Sequence, residues 1–238
     1  MVRLIAAFWF SMLAGPASAQ SFNAQEQAEI RAVVRDYLVR NPDVLREALD
    51  ALQARVDSER RERIETDRRD FSVGPADARI VIVEFFDYRC SFCHAAAEWV
   101  SDLARTRRDV RIVFKELPIL SPQSIEAARA SLAAMPQGRY FAFHRALMAF
   151  RGDLTSEQID AIARRSGIDV ARMRRGMDDP SVTALLEDNI GLAADLSIGG
   201  TPGFMINGEL TSGFRREELD RQLREATEQT RRARQARS

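Results

Sequence analysis

The 238-residue sequence contains only two cysteines, Cys90 and Cys93, and a single lysine, Lys115. Two thiols cannot staple a small scaffold together, so the chain must hold itself by a core. Glycine (12) and proline (8) are scarce, which excludes collagen-like and low-complexity classes and favours a helix-rich globular chain. Charge of either sign is missing in excess: 35 basic residues face 35 acidic ones. A general attraction to nucleic acid or to an anionic membrane is therefore excluded, and partners must be sought locally. Long hydrophobic runs are absent beyond the first twenty residues. The length suits one sizeable domain or two small ones, at about 100–200 residues each.

The exception lies at the start. Met1-Val2-Arg3 carries one charge, Leu4 to Ala14 is apolar apart from Ser11, and Gly15-Pro16 precedes Ala17-Ser18-Ala19. A run this short does not cross a bilayer, which takes about 20 residues. The pattern predicts a secretory signal peptide over 1–19, export to the periplasm, and hence a compartment where disulfides persist.

Residues 20–70 predict a helical arm. Asn23 and Glu26 form a capping-box pattern, followed by Ile30, Val33, Val34, Tyr37 and Leu38 at helical spacing. Asn41-Pro42 reads as a second N-cap, after which Leu45, Leu49, Leu52 and Val56 alternate steps of four and three, the spacing of a short coiled-coil seam. From Asp57 to Asp70, eleven of fourteen residues are charged and only Ile64 is large and apolar. That stretch reads as a solvated rod or linker holding the arm away from the following domain. The seam needs a partner, either copies of itself in a homo-oligomer or the chain's own domain, and the charged stretch favours the homo-oligomer.

The two thiols define the chemistry. Arg79 to Phe86 reads as a strand buried on both faces, Asp87-Tyr88-Arg89 as a turn, and Cys90-Ser91-Phe92-Cys93 as the opening of an alanine-rich helix reaching about Arg107. A sulfur at a helix N-terminus meets unpaired amide hydrogens and the positive end of the dipole, which favour the thiolate. Cys90 is then the attacking sulfur and Cys93 the resolving one. Val110 to Lys115 is a second strand, and Gln123 to Leu196 is helical with breaks at Met135-Pro136, Arg151-Gly152, Ser166-Gly167 and Asp179-Pro180. Phe204-Met205-Ile206 and Glu209-Leu210-Thr211 suggest a hairpin around Asn207-Gly208, closed by a helix over Arg215 to Thr230. Arg231 to Ser238 is a basic tail.

Glu84 to Cys93 resembles the strand and active-site turn of the exported, DsbA-like branch of the thioredoxin superfamily. Gly200-Thr201-Pro202-Gly203-Phe204-Met205-Ile206-Asn207-Gly208 resembles the cis-proline loop of the same branch. The resemblance covers roughly 72–230 and implies an α/β thioredoxin-like fold with a helical insertion, a cis Thr201-Pro202 bond, and substrate binding along Thr201 and Pro202. The N-terminal arm resembles the oligomerising extension of suppressor-of-copper-sensitivity proteins. The expected organisation is a signal peptide (1–19), a helical arm and charged linker (20–70), a thioredoxin-like domain (71–230) and a basic tail (231–238).

Glu84 is an acid in an apolar strand, where burial raises its pKa and suits it to accept the Cys93 proton. Lys115 at the end of the second strand is its candidate partner. Two other classes stay open. Cys90-Ser91-Phe92-Cys93-His94 matches the c-type haem attachment pattern, and two thiolates with His94 or a methionine suit Cu(I). His144 reads as a helix-face residue and not a ligand. The primary expectation is an exported thiol:disulfide oxidoreductase without metal or cofactor. Its expected partners are exported proteins and a membrane redox protein that resets the cysteines, with no nucleic acid. Oxidase, reductase and isomerase use the same residues, and self-association favours isomerase or reductase.

Overall fold

The computed structural model describes residues 22–236. The expected signal peptide lies outside the described residues. The chain divides into two compact units, Met1–Val56 and Asp57–Ser238.

In the first unit, α1 (Ala24–Arg40) opens with the expected capping box: Asn23 Oδ1 accepts from the Gln25 and Glu26 amides at 3.0 and 2.9 Å, and Glu26 Oε2 accepts from the Asn23 amide at 2.8 Å. Asn41 serves both helices: its side chain donates to the Tyr37 carbonyl at 2.8 Å at the end of α1, and its own carbonyl accepts the Val44 amide at 3.2 Å at the start of the next helix. Pro42 then begins α2 (Pro42–Thr66), which crosses into the second unit. No residue of α1 is buried, and Val33, Leu45, Leu49 and Leu52 are exposed.

The second unit is built on one mixed five-stranded sheet. Its elements are β1 (Phe71–Val73), β2 (Ile80–Phe86), α3 (Ser91–Thr106), β3 (Val110–Glu116), α4 (Pro122–Ala134), α5 (Tyr140–Ala149), α6 (Ser156–Arg165), α7 (Val170–Gly176), α8 (Pro180–Asp195), β4 (Gly203–Ile206), β5 (Glu209–Ser212) and α9 (Arg216–Gln235). The strand order is β1-β3-β2-β4-β5. β2 and β3 are parallel, joined by the α3 crossover, and every other pairing is antiparallel.

The pleat sorts the strand residues into two cores. Ile80, Ile82 and Phe86 of β2, with Ile112 and Phe114 of β3, face α3 and the inserted helices. Val81, Val83 and Phe85, with Val113, face the other way, toward Ala193, Ile198 and Ile64. The hairpin turn has Asn207 and Gly208 both at positive φ, 48° and 93°, as a two-residue turn of this hand requires.

Two expectations are corrected. The charged stretch is not a free linker: α2 continues to Thr66, Ile64 is 1% exposed, Arg61 donates to the Asn207 carbonyl at 3.0 Å, and Arg111 donates to the Glu65 carbonyl at 2.9 Å. The single apolar residue Ile64 is enough to dock a helix end whose preceding residues, 57–63, stay exposed. It then leads into β1, a three-residue edge strand paired with β3 that carried no sequence signal of its own. The closing helix also extends past Thr230 to Gln235.

Candidate active site

β2 ends at Phe86, the chain turns through Asp87-Tyr88-Arg89, and Cys90 becomes the N-cap of α3 with extended backbone angles and no side-chain cap of its own. The amides of the first helical turn are thereby left facing the Cys90 sulfur. The His94 amide donates to the Cys90 carbonyl at 3.0 Å, which starts the helix and puts Cys93 on its inner face. Cys90 is 7% exposed and Cys93 is fully buried, both as free thiols.

The second motif arrives from the far end of the insertion. Thr201-Pro202 is a cis peptide bond, and the Cys90 thiol donates to the Thr201 carbonyl at 3.1 Å. The Pro202 carbonyl is taken by the Gly213 amide at 2.8 Å, which ties the loop to the end of β5. Cys90, Cys93, Thr201 and Pro202, singled out from separate stretches of sequence, thus form one wall.

The electrostatics separate the two sulfurs. The hydrogen bond from Cys93 lowers the Cys90 thiol to about 5, assisted by the Thr201 side chain and the Cys93 and Phe92 amides, and opposed by burial. The Thr201 hydroxyl is buried without a partner while the thiol donates to the neighbouring carbonyl. Rotation of that hydroxyl toward an ionised sulfur supplies the bond that the thiolate needs. Cys93 moves the opposite way: burial, the hydrogen bond to Cys90 and the Glu84 charge hold its proton on.

Glu84 lies on β2 between Phe114 and Phe204 of the neighbouring strands and is 2% exposed. Burial, and then the Cys90 charge, push its carboxyl up to about 8. The expected Glu84–Lys115 pair does not form. In the parallel register Glu84 lies opposite Phe114 and Phe85 opposite Lys115, so the pleat sends the two side chains to opposite faces. Lys115 instead pairs with buried Asp70, which also contacts Asn189 at 3.4 Å.

Sequence reasoning passed over two supports of the turn. Tyr88 sends its hydroxyl to Glu116 at 3.0 Å and lies 3.2 Å from His144 Nδ1, while Tyr140 donates to the same Glu116 oxygen at 2.7 Å. His144 is thus a core histidine in this network, its imidazole lowered to about 3 by burial and by Arg145. Asp87 binds four donors from three segments. The available signal was a polar pair directly after a strand buried on both faces. His94 Nε2 lies 2.6 Å from the Tyr88 carbonyl, so the histidine of the haem-like pattern is engaged in the turn. Among the described residues no group of three or more His, Cys, Asp or Glu side chains is placed to hold a metal ion.

Residues 81–224 match the family described as the DSBA-like thioredoxin domain. The chain belongs to that family. Residues 26–56 separately match the N-terminal domain of the copper resistance protein ScsC. A thioredoxin-like oxidoreductase from Silicibacter pomeroyi DSS-3 is 37% identical, with a TM-score of 0.67 over 72% of this chain and 98% of that one. A linker-deleted variant of Proteus mirabilis ScsC is 27% identical, with a TM-score of 0.66 over 89% of this chain and all of that one. The thiol-disulfide exchange protein alpha-DsbA2 of Wolbachia pipientis is 26% identical, with a TM-score of 0.67 over 76% and 97% of the two chains. A curated relative, the Na(+)/H(+) antiporter NhaA 1 of Salinispora arenicola, is 31% identical over 147 residues, which is 61% of this chain. The chain spans about a fifth of the length of the curated relatives it matches, 22% in that case. No helix among the described residues is long and apolar enough to cross a membrane. The DsbA-like family carries a thiol–disulfide oxidoreductase fold, and the cysteine wall occupies its strand–turn–helix.

Proposed function

We propose that this chain is an exported thiol:disulfide oxidoreductase that reduces or rearranges disulfides in other exported proteins, rearrangement following when a freed substrate thiol attacks another substrate disulfide. The observation that carries the proposal is the pairing of a low-pKa Cys90 with a buried, protonated Cys93 beside Thr201-Pro202. Cys90 thiolate attacks a substrate disulfide, one substrate sulfur leaves with the electron pair, and a mixed disulfide remains on Cys90. Cys93 then passes its proton to Glu84, attacks Cys90, and releases the second substrate sulfur as thiolate. Thr201 and Pro202 form the wall along which an extended substrate strand lies. A membrane redox protein resets the pair. Export to the periplasm is supported by the apolar stretch Leu4 to Ala14 and the small residues before Gln20.

Isomerisation is favoured by the arm. Its exposed Leu45, Leu49 and Leu52, together with the match to the ScsC N-terminal domain, support self-association that presents several active sites to one misfolded substrate. The depressed Cys90 thiol supports a second reading, net oxidation, because a stabilised thiolate makes the dithiol form the favoured one. Refolding of a scrambled-disulfide protein by the full chain and by a Leu45→Ser, Leu49→Ser, Leu52→Ser variant decides between them. Isomerisation requires recovery of native activity with the full chain and its loss, with a fall in subunit number, in the variant. Rapid oxidation of reduced peptides by both, without rescue of the scrambled protein, leaves the oxidase. Absence of any thiol exchange by the full chain would overturn both.

A further inference from the structure

Asp87 stands between the buried strand and the turn that carries Cys90, and its side chain has no part in the exchange chemistry above. It is 1% exposed, and a buried carboxylate is tolerated only where hydrogen bonds replace its water. Oδ1 accepts from the Arg89 amide and the Ser124 hydroxyl, both at 2.7 Å. Oδ2 accepts from the Ile119 and Leu120 amides at 2.9 and 3.0 Å. One carboxylate therefore ties together the active-site turn, the loop that follows β3 and the first turn of α4. The backbone of the same residue serves the sulfurs. Its carbonyl accepts the Cys90 amide at 3.1 Å, and its backbone favours the Cys93 thiolate, against the larger effect of burial.

We propose that Asp87 is a positioning residue for the resolving step: its carboxylate clamps the 119–120 loop and α4 onto the turn, and so holds its own backbone where Cys90 and Cys93 need it. The inference rests on the Cys90–Cys93 exchange proposed above. In that step Cys93 loses its proton to Glu84 and forms the Cys93–Cys90 bond. The bond between Cys90 and the substrate sulfur breaks, and that sulfur leaves with the pair of electrons. No outside oxidant is needed. An asparagine at 87 separates this role from simple space filling. With its oxygen toward Ile119 and Leu120, its NH2 group faces the Arg89 amide, and turned over it faces the other two amides. One donor opposes another either way.

The experiment mixes the dithiol form of the full-length chain with glutathione disulfide. The first glutathione released reports attack by Cys90, and the second reports resolution by Cys93. Asp87→Asn is expected to slow the second release about tenfold, ~1.4 kcal/mol, while the first changes by less than about twofold. Equal slowing of both, or no change in the second, would overturn the positioning role. Absence of any glutathione release from the unmodified chain would instead remove the exchange reading itself. Should Asp87→Asn not fold, amide hydrogen exchange at Ile119 and Leu120 in the unmodified chain decides the matter. A clamp linked to the sulfur pair gives different protection in the dithiol and disulfide forms, and identical protection refutes the link.

Discussion

Replacing Cys90 by serine should reveal how much of the dithiol form's stability comes from one thiolate. The Cys90 thiol falls from an ordinary value of 9.0 to about 5 in the folded chain. A depressed folded pKa means that the unfolded chain holds the proton longer, so stability rises with pH between those two values and is lost as pH falls through about 5. At pH 7 only the interval from 5 to 7 has been crossed, which at 1.36 kcal/mol per pH unit is ~2.7 kcal/mol. Solvent in the cleft screens the charge and trims this to about 2 kcal/mol. Other buried groups, Glu84 among them, titrate in the same range, so the useful quantity is the difference between the unmodified dithiol chain and Cys90→Ser. Urea unfolding of both at several pH values should give a difference near zero at pH 4.5, about 2 kcal/mol at pH 7, and more at pH 8.5. Thiolate absorbance at 240 nm should titrate near pH 5 in the unmodified chain. A stability difference that stays flat from pH 5 to 8, or a Cys90 midpoint above pH 8, would refute the account of the helix N-terminus, Cys93 and Thr201 as stabilisers of the charge.

Glu84→Gln should act with the opposite sign. Its folded carboxyl is raised to about 8, so the wild-type chain loses stability as pH rises from 4.5, and the variant's advantage should grow by about 3 kcal/mol between pH 4.5 and 7 in the same unfolding assay. Lys115→Met leaves Asp70 buried without its cation and should lower the urea midpoint by an amount worth about 3–5 kcal/mol. Because Lys115 lies on the opposite face of the sheet from Glu84, the Cys90 titration measured at 240 nm should not move. Gly74→Ala should destabilise the β1 junction by at least ~2 kcal/mol in thermal unfolding, since φ there is +109° and a Cβ would stand 2.3 Å from the Val110 carbonyl oxygen.

The readable parts of the molecule were those that repeat a pattern or concentrate one chemistry. Ile80 to Phe86 declared a strand buried on both faces, Asn207-Gly208 declared a hairpin turn, and Asn23 with Glu26 declared the start of α1. Cys90, Cys93 and Pro202 were legible because each residue type has few other uses in such a setting. Register was not legible. The pairing of Lys115 turned on which residue of β2 it faced, and a one-residue difference in register exchanges the faces of a whole strand. Nor were contacts that one side chain makes across long separations. Ile64 looked like a lone apolar residue in a charged run, yet it docks the end of α2, and Asp87 looked like a turn former, yet it joins three segments.

The two faces of the sheet treat buried charge differently, and the difference bears on which acid can take the Cys93 proton. On the face away from the sulfurs, burial raises the Asp70 carboxyl above the ordinary range, and the paired Lys115 cation opposes that rise. On the sulfur face Glu84 has no ion pair among the described residues and is held near 8 by burial and by the Cys90 charge. An acid whose affinity for a proton lies close to neutral pH can both accept and return one during a catalytic cycle. Formation of the mixed disulfide removes the Cys90 charge, the second cause of the raised Glu84 value. In the exchange we propose, Glu84 then loses its proton more easily and is the base open to Cys93 when it has to give one up. On that proposal the attacking step prepares the resolving step through the charge of a single sulfur.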